Sequence, residues 1–324
     1  MFEKTRTYFL NIKKDFSKQQ HEKKAEQKLE TFSGKKDGIL AWSDYRHPGA
    51  WVAYTIGIGI LIIFVFLALA PIFWLFVSSF KSTSELYEIP YNFWPQSFSL
   101  TKIIEVWQYL DFGKYFLNSI VVAVGSVMAA VFFNGLLAYA VSVVKPRGYK
   151  VVYALVMLSF MIPTVANLVP LFKEISDFGL INSYLPLCLA AGANAFYFLL
   201  FKTYFDSLPQ DLFEAARVDG AGDLRIFFSI IVPLSRPIIG VVSIFAMTAA
   251  WSDFLLPYLV LQDDGMQTIM VKIYSIQSTI ATSTEFGPDR LLMLLCLSII
   301  PQIIFFAFFQ KQITATSTTS GIKE

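Results

Sequence analysis

Charge is scarce in this chain, and so are the residue types that do covalent chemistry. Asp, Glu, Lys and Arg together make 15% of 324 residues, where a soluble domain carries about 25%. There are two cysteines and two histidines. Cys188 and Cys296 lie in apolar runs and His21 and His47 are far from both, so no zinc site is legible. The thiols read as small core residues rather than as a disulfide or a metal pair. No Gly-x-x-x-x-Gly-Lys-[Ser/Thr] loop occurs, so the chain is not expected to bind ATP itself. His-Glu-x-x-His, paired catalytic carboxylates and Gly-x-Ser-x-Gly are all missing from its apolar runs, which argues against an intramembrane enzyme. The net charge of +2, with no interleaving of basic and aromatic residues, gives no reason to expect a nucleic-acid partner.

What is abundant is apolar surface, at 55% of residues with 32 phenylalanines. A helix crosses a bilayer core with about 20 apolar residues. Six runs meet that length: Trp51 to Phe80, Tyr115 to Val144, Val151 to Phe172, the stretch between Asp177 and Lys202, Arg236 to about Leu261, and the stretch between Arg290 and Lys311. Runs this long argue against strands, because an open sheet edge cannot face lipid. The first run starts near residue 51 and is too long for a signal-peptide core. The reading is an all-α membrane protein with six transmembrane helices and both termini on one side. In the fifth run Asp253 is expected at mid-helix, and in the third Pro163, with Asn167 one turn on, is expected to kink the span.

Lysine and arginine set the orientation. The side shared by the termini holds Lys35, Lys36, Arg46, Lys145, Arg147, Lys150, Lys202, Arg217, Arg225, Arg236, Lys311 and Lys323. The other holds Lys81, Lys102, Lys114, Lys173, Lys272 and Arg290. The excess puts the termini and residues 206–236 in the cytoplasm. Residues 1–46 are rich in Lys, Gln and Glu and read either as a solvated tail or as a basic arm on anionic headgroups.

Between the fourth and fifth runs lies a polar, helix-capable segment, residues 207–233. Pro209 suits a first helical turn, and Leu212, Phe213 and Ala216 share a face by their spacing. Gly220 fits the left-handed position past a helix end. Asp223 is placed to cap a second helix, which Pro233 interrupts. Glu214-Ala215-Ala216, then Gly220, Ile230 and Pro233, resembles the EAA loop of permease subunits of ATP-binding-cassette importers, with Val232 in the leucine position. The similarity extends over roughly residues 50–311 and is nearest to the second permease of maltose-type, carbohydrate-uptake importers. Phe116-Leu117-Asn118-Ser119, Met161-Ile162-Pro163, Gly179 to Tyr184, Leu208 to Phe213 and Trp251-Ser252-Asp253-Phe254 carry it in order.

That resemblance implies a type I importer permease fold and a function as the transmembrane subunit of an ATP-driven importer of sugars or oligosaccharides. It implies four kinds of partner: a second homologous permease, two ATPase subunits that bind ATP and Mg, an extracytoplasmic solute-binding protein, and the lipid bilayer. It implies a bacterial or archaeal cell membrane. The alternatives are a permease for another solute and an autonomous secondary transporter. Residues 1–50 read as an N-terminal extension, 51–311 as the permease domain with its coupling loop at 206–236, and 312–324 as a tail. Glu214, Ala215, Ala216, Arg217, Asp219, Gly220 and Pro233 are the expected ATPase-coupling residues. Asn134, Asn167, Asn194, Trp251 and Asp253 are the candidates for a solute pathway, since amides and carboxylates inside spans default to function. Each also has a bland role open to it, as an interhelical hydrogen bond or, for Trp251, an interfacial anchor. Loops 81–114 and 262–289 are expected to meet the binding protein. In the tail, Gln310, Lys311, Gly321 and Lys323 align with residues that reach the ATPases in the family, whereas Thr316 and Ser320 replace glycines there. Contact with the ATPases and a solvated tail both stay open.

Overall fold

The computed structural model describes residues 48–109, 111–279 and 286–319, and every regular element among them is helical. Residues 1–46, read as a solvated tail or a basic arm, and Ser320, Gly321 and Lys323 of the tail, lie outside the described residues. Two compact units divide between Pro71 and Ile72. Helix α1 (Pro48–Ser79) runs across that division with Pro71 inside it. Then follow α2 (Thr101–Tyr109) and the long α3 (Phe112–Val144). Next come α4 (Tyr149–Phe160) and α5 (Thr164–Asp177), then α6 (Leu185–Ala193) and α7 (Ala195–Asp206). The polar segment forms α8 (Asp211–Val218) and α9 (Asp223–Leu234). The chain ends in α10 (Arg236–Ser252), α11 (Leu255–Val260), α12 (Ile269–Thr279) and α13 (Pro288–Thr319).

Three helices are long and apolar enough to cross a bilayer unbroken: Trp51–Ser79 of α1, all of α3, and Pro288–Gln310 of α13. The others are bent, by 101° between α4 and α5, 46° between α6 and α7, and 82° between α9 and α10. Counting each bent pair as one span gives six.

Proline and polar side chains set the breaks. Helix α4 stops at Phe160, and Pro163 is extended at φ −60°, ψ 131°. A proline lacks the amide donor and pushes the residue before it out of helical geometry. The third run is therefore two helices at nearly a right angle rather than one kinked rod. The fifth run also differs from the expectation of a continuous helix with a buried charge at its centre. Helix α10 ends at Ser252 and Asp253 is extended at φ −71°, ψ 129°. The cause sits four residues on, where the ring of Pro257 would collide with the carbonyl of residue 253.

Within lipid there is no hydrophobic drive between helices, so close packing must hold them. Helices α3 and α6 approach at Gly125, where an added Cβ would collide with Cys188 Sγ. Asn134, 2% exposed, donates to Ala130 O at 2.8 Å and Ala191 O at 2.9 Å and accepts the Asn194 amide at 3.1 Å. It pins α3 to the α6–α7 break.

The start of α3 is tied to the segment before α12. Asn118 donates to the carbonyls of Gly265 and Gln267, and Ser119 Oγ accepts from the Ile269 amide. Asp264 accepts from Lys272 and Tyr115, each at 2.7 Å. Those two hydrogen bonds hold its carboxyl below the ordinary carboxylate range. At the same end Lys102 pairs with Asp289 at 3.1 Å, and Thr83 donates to that carboxylate at 2.7 Å. Lys81 is fully buried, bonded to the Asn92 carbonyl and 4.1 Å from the Tyr91 ring centre. The segment after α1 is thus fastened to the head of α13.

Candidate functional site

Two sites emerge, one at each level of the bundle. The first is the hairpin of α8 and α9. Its outer surface is open: Glu214, Ala215, Arg217, Asp219, Gly220 and Pro233 are exposed and Ala216 is half-buried. Its inner surface is anchored. Phe213 and Ile226 are wholly buried in one cluster with Tyr139, Phe201 and Phe205. Leu212 turns outward at 47% exposure, so only Phe213 and Ala216 of the expected face pack inward.

Gly220 joins the helices at φ +81°, with its amide bonded to Arg217 O and the next amide to Ala216 O. Those paired bonds close the end of α8 as a left-handed glycine cap does. Asp223 does not cap α9. Gly222 holds the cap position, and Asp223 enters the first turn, where negative charge suits the helix dipole. Its carboxylate meets Arg217 at 3.4 Å across the hairpin, and its carbonyl accepts from Tyr139 Oη at 3.1 Å. Pro209 precedes α8 by two residues rather than standing in its first turn. Pro233 sits one residue before α9 ends, and just beyond it Tyr204 Oη donates to the Leu234 carbonyl at 2.9 Å.

The second site is a cleft of about 550 Å³ between α3, α5, α6, α7, α10 and α11. Its walls come from Val122 and Ser126 of α3, ten to fourteen residues into that helix, or roughly 15–20 Å from its start. Three helix breaks converge on it. Asn167 lies just past the α4–α5 break, Asn194 at the α6–α7 break, and Asp253 at the α10–α11 break. Irregular backbone at membrane depth is tolerated where it lines a cavity, and such breaks mark binding sites in transporters.

Asn194 Oδ1 accepts the amides of Phe196 and Tyr197 at 3.0 and 3.1 Å, capping α7. Asp253 Oδ1 accepts the Leu255 amide at 3.1 Å, just ahead of Phe254 at the start of α11. Both polar residues hold the breaks open while lining the cleft. Of the five sequence candidates, Asn167, Asn194 and Asp253 come together. Asn134 and Trp251 do not line the cleft: Asn134 is the buried pin described above. Trp251 is 2% exposed, donates to Ser298 O at 3.0 Å and meets Phe116 edge-on at 5.6 Å. Ser126, Thr164 and Tyr197 line the cleft and were not singled out by sequence. Tyr197 follows Asn194 by three residues, the spacing of one helical face, which was the available signal.

Membrane spans interrupted around a polar cleft, joined to a rigid exposed hairpin, define a transport subunit rather than an enzyme. The family model for the inner membrane component of binding-protein-dependent transport systems matches residues 132–315, and the chain belongs to that family. It is a multi-pass permease of the inner membrane. It is 31% identical to the diacetylchitobiose uptake system permease protein NgcG of Streptomyces coelicolor, over 81% of this chain and 86% of that one. It is 30% identical to the arabinooligosaccharides transport system permease protein AraQ of Bacillus subtilis, over 86% and 99%. In fold it matches a chain of a bacterial ABC transporter involved in import of the acidic polysaccharide alginate, with TM-score 0.72, 23% identity, and 82% and 98% of the two chains covered. The fold is that of type I importer permeases.

Proposed function

We propose that this permease carries oligosaccharides inward through the cleft at Asn167, Asn194 and Asp253, driven by ATPase subunits that grip the hairpin of α8 and α9. The hairpin carries the reading. It is anchored from within by Phe213 and Ile226 and exposed without (Glu214, Ala215 and Arg217), as a lever gripped by a partner must be. Small Ala215 and Ala216 allow close approach, and Glu214, Arg217 and Asp219 fix orientation. Pro233 lies just before the point where the lever turns into α10. Both termini lie in the cytoplasm with the hairpin, where ATP is. A second homologous permease completes the pathway. A solute-binding protein docks on segments 81–114 and 262–289, which the Lys102–Asp289 and Asp264–Lys272 pairs keep in place. Residues 51–311 form the permease proper, with an extension before and a tail after. ATP and Mg reside on the ATPase partners.

Saccharide as the cargo is supported by the relatives that take up diacetylchitobiose and arabinooligosaccharides. Polar uncharged amides beside apolar walls suit sugar hydroxyls and ring faces. Purification from the native membrane should bring down two ATPase chains and a second permease. That assembly in proteoliposomes, with its binding protein outside and ATP inside, should accumulate oligosaccharide. Ion-driven uptake by the isolated chain would overturn the reading in favour of a secondary transporter.

A further inference from the structure

We propose that Asp253 is a specificity-determining residue that selects against anionic solutes, so the saccharide passing this cleft is neutral or bears an amine. The inference rests on the cleft being the solute pathway. Among the described residues lining it, Asp253 is the one charged side chain. The other polar linings are Ser126, Thr164, Asn167, Asn194 and Tyr197, all uncharged, and no lysine or arginine lines it. The remaining wall is alanine, leucine, valine and proline, a surface that screens charge poorly. A carboxylate there repels a second negative charge that enters the cleft.

Position strengthens the effect. Asp253 is exposed at the break between α10 and α11. One oxygen accepts the Leu255 amide, which fixes the group, and a carboxylate retains further acceptor sites for hydroxyl or ammonium donors. That hydrogen bond by itself requires no charge, since asparagine and serine also accept from a backbone amide two residues on. What aspartate adds over them here is the charge and the selection it imposes. A pathway for uronates or sugar phosphates would be expected to offer a cation instead, because arginine and lysine are what recognise carboxylate and phosphate.

The test uses the complete importer in proteoliposomes with its own binding protein. Two neutral probes, diacetylchitobiose and arabinotriose, are each paired with the aldonate made by oxidising the reducing end. The readout is the ratio of neutral to aldonate uptake in a variant divided by that ratio in the wild type, so discrimination by the binding protein cancels. Asp253→Asn can keep the hydrogen bond to the Leu255 amide while removing the charge, and should lower the ratio about tenfold, the size expected of like charges several ångströms apart at intermediate dielectric. Asp253→Glu should keep it. Asn167→Asp adds a second carboxylate to the cleft and should raise it, deciding the matter if Asp253→Asn fails to assemble. An unchanged ratio in both Asp253→Asn and Asn167→Asp, or a wild type that takes the aldonate faster than its parent, overturns the proposal. An importer that moves another solute and no saccharide overturns the pathway reading itself, and this inference with it.

Discussion

Trp251 shows how one residue type carries opposite meanings. Beside an aspartate in a transporter, an indole invites a sugar-stacking role. The fold instead turns it inward, with its N–H on Ser298 O and its ring on Phe116. A helical step of two residues rotates the side chain about 200°, so Trp251 and Asp253 could not share a face even before the helix broke between them. Replacing Trp251 by Ala should destabilise the assembled permease by about 3–5 kcal/mol, the usual range for removing a buried tryptophan, read as a fall in thermal unfolding temperature. The neutral-to-aldonate uptake ratio should not move. A changed ratio with unchanged stability would restore the stacking role. Asn134 teaches the same lesson: two carbonyls and one amide occupy it, leaving little for a solute. Both assignments needed to know which neighbour each side chain meets.

At the scale of the element, the hairpin was the most legible part of the chain. Gly220 was readable because few other residues accept positive φ, and φ is +81° there. Pro233 was expected to interrupt the second helix, but α9 runs through it to Leu234 and the break falls at Ser235, just ahead of Pro237. The role of Asp223 was not readable, because the choice between capping and the first turn depends on where Gly222 leaves the backbone. Phe116-Leu117-Asn118-Ser119 was a recognisable motif without a mechanism until Asn118 and Ser119 were seen to cap the backbone before α12. Gly220→Val forces a β-branched residue into the left-handed region, at a cost of about 1–2 kcal/mol. The expected result is normal insertion with at least a severalfold loss of solute-stimulated ATP hydrolysis, measured on the reconstituted complex. Within this chain open space surrounds the position of a Cβ at Gly220, so the loss would not come from a clash inside the permease. Full coupling in this variant would count against the lever.

For the whole molecule, the expectation concerns sidedness. Single cysteines placed at Asp219 and Gln262, in a background with Cys188 and Cys296 replaced by serine or alanine, should label from opposite sides of sealed cells. Asp219→Cys should react only after the membrane is opened, and Gln262→Cys directly. The reverse pattern would put the hairpin beyond the reach of ATP. Composition and the length of the apolar runs were enough to establish a helical membrane protein with up to six spans, because lipid forces backbone hydrogen bonds to close within each segment. The ordered motifs were enough to establish its kinship. Local chemistry of glycine and proline fixed most of the hairpin. Local proline chemistry breaks the spans at Pro163 and ahead of Pro257, but tertiary structure alone decided that the breaks meet. Asn167, Asn194 and Asp253 are far apart in the chain, and only the packing of α3, α5, α6, α7 and α10 brings them to one cleft. Periodicity reports which residues share a helix face, but which faces meet is settled by close contacts such as Gly125 on Cys188, between residues the sequence keeps apart.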